Sequence, residues 1–174
     1  PSKDRILQDG DIVSLDAGLI HEGYHSDAAR THAVGEVSEE AKKLIQVTKE
    51  CFFEGIKYAK AGNHLFDISG AIGRYAEERG YGVVRDLCGH GIGTALHEAP
   101  EIPNYEVGRK GVKLRPGMTL AIEPMINIGT YEVDWLDDDW TVVTRDGSLS
   151  AHYENTILIT EGEPRILSLT CDNE

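Results

Sequence analysis

Four carboxylates and two histidines of this sequence stand where a folded chain seldom leaves charge without a purpose. Asp16 ends the apolar run Ile12-Val13-Ser14-Leu15, and Asp27 follows eleven residues later on a second extended segment. Held a few ångströms apart, two bare carboxylates repel until one takes up a proton. A divalent cation between them removes that cost. Taken alone, such a pair is more often two turn aspartates exposed to water. Glu123 lies inside Leu120-Ala121-Ile122-Glu123-Pro124-Met125-Ile126, and Glu154 inside His152-Tyr153-Glu154-Asn155-Thr156-Ile157-Leu158. A glutamate buried in an apolar strand is costly unless an arginine, a proton or a metal ion accompanies it. Pro124 beside Glu123 implies a sheet edge or a bulge.

The histidines fall in Cys88-Gly89-His90-Gly91-Ile92-Gly93 and His97-Glu98-Ala99-Pro100. Glycines on both sides of His90 let the backbone approach whatever the imidazole touches, and His97, seven residues on, can reach the same cleft. Singly, each is more often a hydrogen-bonded structural histidine; together in a glycine-rich turn they point to function. The segment is no phosphate loop, having neither the Walker lysine nor the dinucleotide glycine spacing. Asp16, Asp27, His90, Glu123 and Glu154 thus form a candidate five-ligand set. Oxygen-rich ligation with one imidazole suits Mn, Fe, Co or Zn in a paired site, whereas structural zinc prefers thiolates.

The elements that must position these groups read as an α+β domain. A strand over 12–17 and another near 25–34, joined through His21-Glu22-Gly23, make an antiparallel hairpin. Ser38 caps a helix over 39–60, with Glu39 and Glu40 at its positive end and Leu44, Val47, Cys51 and Ile56 as its apolar stripe. A second helix spans Leu65 to Arg79, closed by Gly80. Strands follow near 83–86, 119–127, 140–144 and 152–159. The 174 residues fit one domain. With 30 acidic against 17 basic residues the net charge is −13, which argues against nucleic acid as a partner. Cys51, Cys88 and Cys171 form no C-x-x-C pair, so neither a zinc knuckle nor a disulfide framework is expected. No apolar run approaches the ~20 residues that cross a bilayer, and no signal peptide opens the sequence. A cytoplasmic protein without membrane contact is expected.

The order Asp16, Asp27, Gly89-His90-Gly91-Ile92-Gly93 with His97-Glu98-Ala99-Pro100, then Ile122-Glu123-Pro124-Met125-Ile126-Asn127 and Ser150-Ala151-His152-Tyr153-Glu154-Asn155-Thr156, resembles the type I methionine aminopeptidases. The resemblance runs from Pro1 to about Leu169. It implies the pita-bread (creatinase/aminopeptidase-like) fold, with antiparallel sheets flanked by helices, as a single metallopeptidase catalytic domain over 1–174. It also implies two divalent metal ions. Asp16 would hold one and Asp27 would bridge both; His90 and Glu123 would hold the other, and Glu154 would bridge. Glu123 would double as general base. His97 would hydrogen-bond the substrate near the scissile amide, and Trp140 would stand beside the methionine pocket. The substrate implied is the N-terminal methionine of nascent peptides, which makes the ribosome a further partner.

Prolidase and aminopeptidase P carry E-P-G-x-Y around the first glutamate, unlike Glu123-Pro124-Met125-Ile126-Asn127. Type II enzymes carry a helical insertion for which the 33 residues from His90 to Glu123 leave no room. Two departures stand out. Leu96 occupies a substrate-side position that is commonly Phe. Pro1 matches the proline of an H-G-x-P motif, so that motif's histidine and the first part of the fold would precede this sequence. Such a chain would be a trimmed fragment, part of a longer protein, or a natural short form. The first two are favoured, since losing part of a sheet exposes apolar surface. Metal binding with weak or absent turnover is expected of the 174 residues alone. A non-catalytic binding module, or a structural domain with a chance cluster of acids, would instead bind no metal.

Overall fold

The hairpin forms first along the chain and is longer than expected: β1 (Ile12–His21) pairs antiparallel with β2 (Tyr24–Ala33). These come from a computed structural model that describes residues 3–169; Pro1 and the tail from Cys171 to Glu174 lie outside the described residues. Two helices follow, α1 (Glu39–Ile56) and α2 (Leu65–Glu77). Ser38 Oγ accepts from Ala41 N at 3.1 Å, which satisfies one of the orphan donors of the first turn of α1. That helix stops short of residue 60 because Tyr58 N and Ala59 N bond three residues back, to Gly55 O and Ile56 O. Such bonds tighten the last turn and end the helix.

The remaining chain is strands: β3 (Gly82–Val83), β4 (Gly89–Gly91), β5 (Glu98–Ile102), β6 (Thr119–Ile122), β7 (Met125–Asn127), β8 (Val133–Trp135), β9 (Val142–Thr144), β10 (Ser150–His152), β11 (Asn155–Leu158) and β12 (Arg165–Ile166). They assemble as a five-stranded sheet β12-β11-β6-β4-β5, a three-stranded sheet β10-β7-β3 and the hairpins β1-β2 and β8-β9. Every pairing is antiparallel. The strand expected over 119–127 breaks at Glu123-Pro124, where proline has no N–H for the ladder. The one expected over 152–159 breaks at Tyr153-Glu154. In both places the chain leaves one sheet and enters the other.

Both helices pack their apolar stripes on one side of these sheets. Leu44, Cys51 and Phe52 of α1 and Ile68 and Ile72 of α2 join Leu120, Ile122, Ile126 and Ile157 in one buried cluster. Burial pushes the Cys51 thiol up to about 12, so it is a small core hydrophobe and not a reactive group. Leu120 and Ile122 face the helices, so Ala121 between them, and His90 paired with it, project from the opposite face. The candidate site lies on that side.

Candidate metal centre

The glycines around His90 have a reason that sequence alone misplaced. His90 sits on β4, between β5 and β6, and not in a loop. A Cβ at Gly89 would collide with Ala121 O, and one at Gly91 with Ala99 O. The small residues therefore let two neighbouring strands close on β4, and a bulge between His90 and Gly91 turns the ring. His90 Nδ1 lies 2.9 Å from Gly91 O. Donating there leaves the Nε2 lone pair directed at the carboxylates, the arrangement that a ligating histidine needs.

The five expected ligands converge. Donor atoms of Asp27, His90 and Glu154 lie within 4.8 Å of one another. Glu123 Oε1 stands 3.5 Å from His90 Nε2, and Asp27 Oδ2 stands 4.0 Å from it. Asp16 projects from the same face of the hairpin as Asp27, because the register places Gly18 opposite Asp27 and Ala29 opposite Asp16. The frame holds Asp27 from behind: Thr156 Oγ1 accepts from Asp27 N at 2.9 Å and donates to Asp27 O at 3.0 Å. Glu154 N donates to Ala29 O at 2.9 Å.

Crowding shows in the electrostatics. Burial first, then the carboxylates of Glu123, Asp27 and Asp16, push Glu154 up to about 10. Burial, reinforced by Asp16 close enough to share a proton, also raises Asp27. Among the described residues no lysine or arginine pairs with these acids. Arg30 comes nearest, but its guanidinium binds Ala29 O, Glu154 O and Asn155 Oδ1 and stacks on Tyr153. Four acids gathered without an organic cation, with one imidazole lone pair among them, fit hard or borderline divalent metal ions.

Beside the cluster opens a cleft of 1130 Å³ lined by Asp16, His90, His97, Glu123, Trp140 and His152, among others. The His97 ring meets that of His90 edge-on at 4.4 Å. Trp140, which could have been core, is 84% exposed at the cleft margin. Leu96 does not line the cleft; its Cδ1 would lie 3.4 Å from a Cβ at Gly18, so it leans on β1 beside Asp27. Trp135 and His152 are among the lining residues that were not foreseen. Trp135 carried no signal, since its strand was not expected. His152 sat in plain view two residues before Glu154, unread as a polar side chain on an inward face.

A cleft beside four carboxylates and one imidazole, mounted on antiparallel strands backed by helices, is the outline of a metal-dependent hydrolase. Residues 1–161 match the model of Metallopeptidase family M24. The chain is 60% identical over 169 residues to a methionine aminopeptidase of Clostridium acetobutylicum, covering 97% of this chain and 68% of the relative. Among solved structures, the methionine aminopeptidase of Thermotoga maritima superposes with a TM-score of 0.94 at 48% identity, covering 97% of this chain and 68% of that one. The prolidase of Pyrococcus horikoshii follows the same fold with a TM-score of 0.77 at 28% identity, covering 97% and 43%. The chain belongs to metallopeptidase family M24 and, within it, to the methionine aminopeptidases. It spans about two thirds of the length of the methionine aminopeptidases it matches.

Proposed function

We propose that this chain is the metal-binding catalytic domain of an aminopeptidase that hydrolyses the peptide bond after an N-terminal methionine. The observation that carries the reading is the convergence of Asp16, Asp27, His90, Glu123 and Glu154 beside an open cleft, with no arginine or lysine among the described residues forming an ion pair with them. Two ions are assigned because the resemblance to the type I methionine aminopeptidases implies a paired site, and this oxygen-rich ligand set with one imidazole suits it. Asp16 would hold the first, His90 and Glu123 would hold the second, and Asp27 and Glu154 would be shared between them. When bound, the ions supply Lewis acidity that ionises water near neutral pH.

The chain's own residues do the rest. Glu123 accepts a proton from the attacking water and returns it to the leaving amine, as a carboxylate at the cleft floor can. His97, exposed on the cleft wall, hydrogen-bonds the oxygen of the tetrahedral intermediate. Trp140 flanks the methionine side chain. Metal analysis of the purified chain tests the reading: about two ions per chain are expected, and none would end it. Asp27→Ala and Glu154→Ala should each lose both ions, because each removes a bridge. A variant that retained two tightly bound ions would overturn the assignment of bridges. Met-Ala-Ser is expected to be turned over weakly or not at all by the 174 residues alone.

A further inference from the structure

Glu123 has two oxygens, and each faces a different imidazole. Oε1 lies 3.5 Å from His90 Nε2, and Oε2 lies 3.5 Å from His152 Nε2. The first contact is between two groups of the acidic cluster, both read above as metal ligands. The second involves a nitrogen that is fully buried and has no hydrogen-bond partner among the described residues. A buried polar atom left unmatched is costly, and Glu123 Oε2 stands directly before this one. If Nε2 carried a lone pair, two acceptors would confront each other. If it carries the proton, a hydrogen bond needs only a small turn of the carboxylate, whose terminal torsion is soft. Such contacts are often long before a site is loaded and tighten afterwards.

The backbone that carries the ring is held on both sides of the peptide. His152 N donates to Thr31 Oγ1 at 2.8 Å, and Thr31 Oγ1 donates to His152 O at 2.9 Å. With its proton so used, Thr31 Oγ1 accepts from Ser14 Oγ at 2.8 Å. His152 is thereby clamped to the hairpin that carries Asp16 and Asp27, while its ring reaches across to Glu123. We propose that His152 is a positioning residue whose Nε2–H donates to Glu123 Oε2, leaving Oε1 alone to bind the cation shared with His90. This rests on the reading of Glu123 as a metal ligand. It goes further in tying the orientation of that ligand to the hairpin.

Long-range ¹⁵N NMR of the metal-free chain tests it first, with His152→Gln used to assign the ring. The Nε2–H tautomer is expected; an unprotonated Nε2 would overturn the proposal and leave that nitrogen a metal ligand instead. Titration with Co(II) alone tests it second. His152→Leu removes the donor, and its affinity at the Glu123 position should fall by about 10–100-fold, as loss of an orienting partner usually does. Its visible band should change as Glu123 becomes free to bind through both oxygens. His152→Gln, which restores an N–H, should keep the parent's affinity and band. Parent-like binding by the leucine variant, or glutamine no better than leucine, would overturn the proposal. Should His152→Leu fail to fold, the tautomer and the glutamine variant decide. A parent chain that binds no Co(II) removes the proposed function, and the tautomer still decides the role of His152.

Discussion

Glu154 is the residue whose chemistry reports most directly on the centre. Its carboxyl is pushed up to about 10 in the folded chain, against an ordinary 4.5 when unfolded, by burial and by three neighbouring acids. The folded metal-free chain therefore holds a proton that the unfolded chain has lost throughout this window. The sign follows: the contribution of Glu154 to stability is complete below pH 4.5 and is lost as pH climbs towards 10. A divalent cation replaces the proton, so metal affinity must rise with pH and binding must release acid. Titrating Mn(II) into weakly buffered protein at pH 7 should release about one proton from Glu154. Glu154→Gln should abolish most of that release. Binding without any proton release would mean that the carboxylates are already ionised, and the crowding described above would be wrong.

At the scale of elements, the centre is a junction between strands far apart in sequence, and its stability depends on a few side-chain bolts. Thr156 of β11 is one. It is 2% exposed and makes two hydrogen bonds to the backbone of Asp27 on β2, across 129 residues of chain. Thr156→Val preserves the volume but strands the Asp27 N–H in a buried place, which costs about 1–3 kcal/mol. Urea unfolding of the metal-free variant should show that loss as a lower midpoint at unchanged slope, and an unchanged midpoint would count against the bolt. Local signals made much of this architecture legible. The β1–β2 hairpin, the cap at Ser38 and the stripe from Leu44 to Ile56 are set by neighbours in sequence, and they stand where the patterning puts them. The short strands were not legible: β4 is three residues long, two of them glycine, and exists only because β5 and β6 close on it. The breaks at Glu123-Pro124 and Tyr153-Glu154 hid the transfer between sheets. Among site residues, strand-embedded acids announced themselves through their cost in an apolar run. His152 did not, because a histidine beside a tyrosine in a half-polar segment costs nothing until the fold buries it.

For the whole molecule, the proposed ligands sit on the hairpin, on β4 and at the two crossings between sheets, so ions bound there would fasten every sheet except the β8-β9 hairpin to the same point. The hairpin needs such fastening. Leu15 and Leu19, on the face away from Asp16, are 58% and 60% exposed, and the hairpin is tied to the rest mainly through β2, where Asp27, Ala29, Arg30 and Thr31 bond to the chain from His152 to Thr156. No helix of the described residues is long and apolar enough to cross a membrane. Metal binding to the folded chain alone stabilises it by mass action, about 2.7 kcal/mol when free metal is a hundredfold above Kd. For a chain of this size each kcal/mol moves the melting midpoint by about 2–4 °C. Saturating Mn(II) should therefore raise the midpoint by about 5–10 °C over protein stripped with a chelator, while Asp27→Ala should melt at one temperature with or without metal. The hairpin should gain most: hydrogen exchange at the amides of β1 and β2 should slow on adding Mn(II) by more than at α1, whose protection comes from the apolar cluster. Equal slowing everywhere would place the metal's hold outside the hairpin and remove Asp16 and Asp27 from the ligand set.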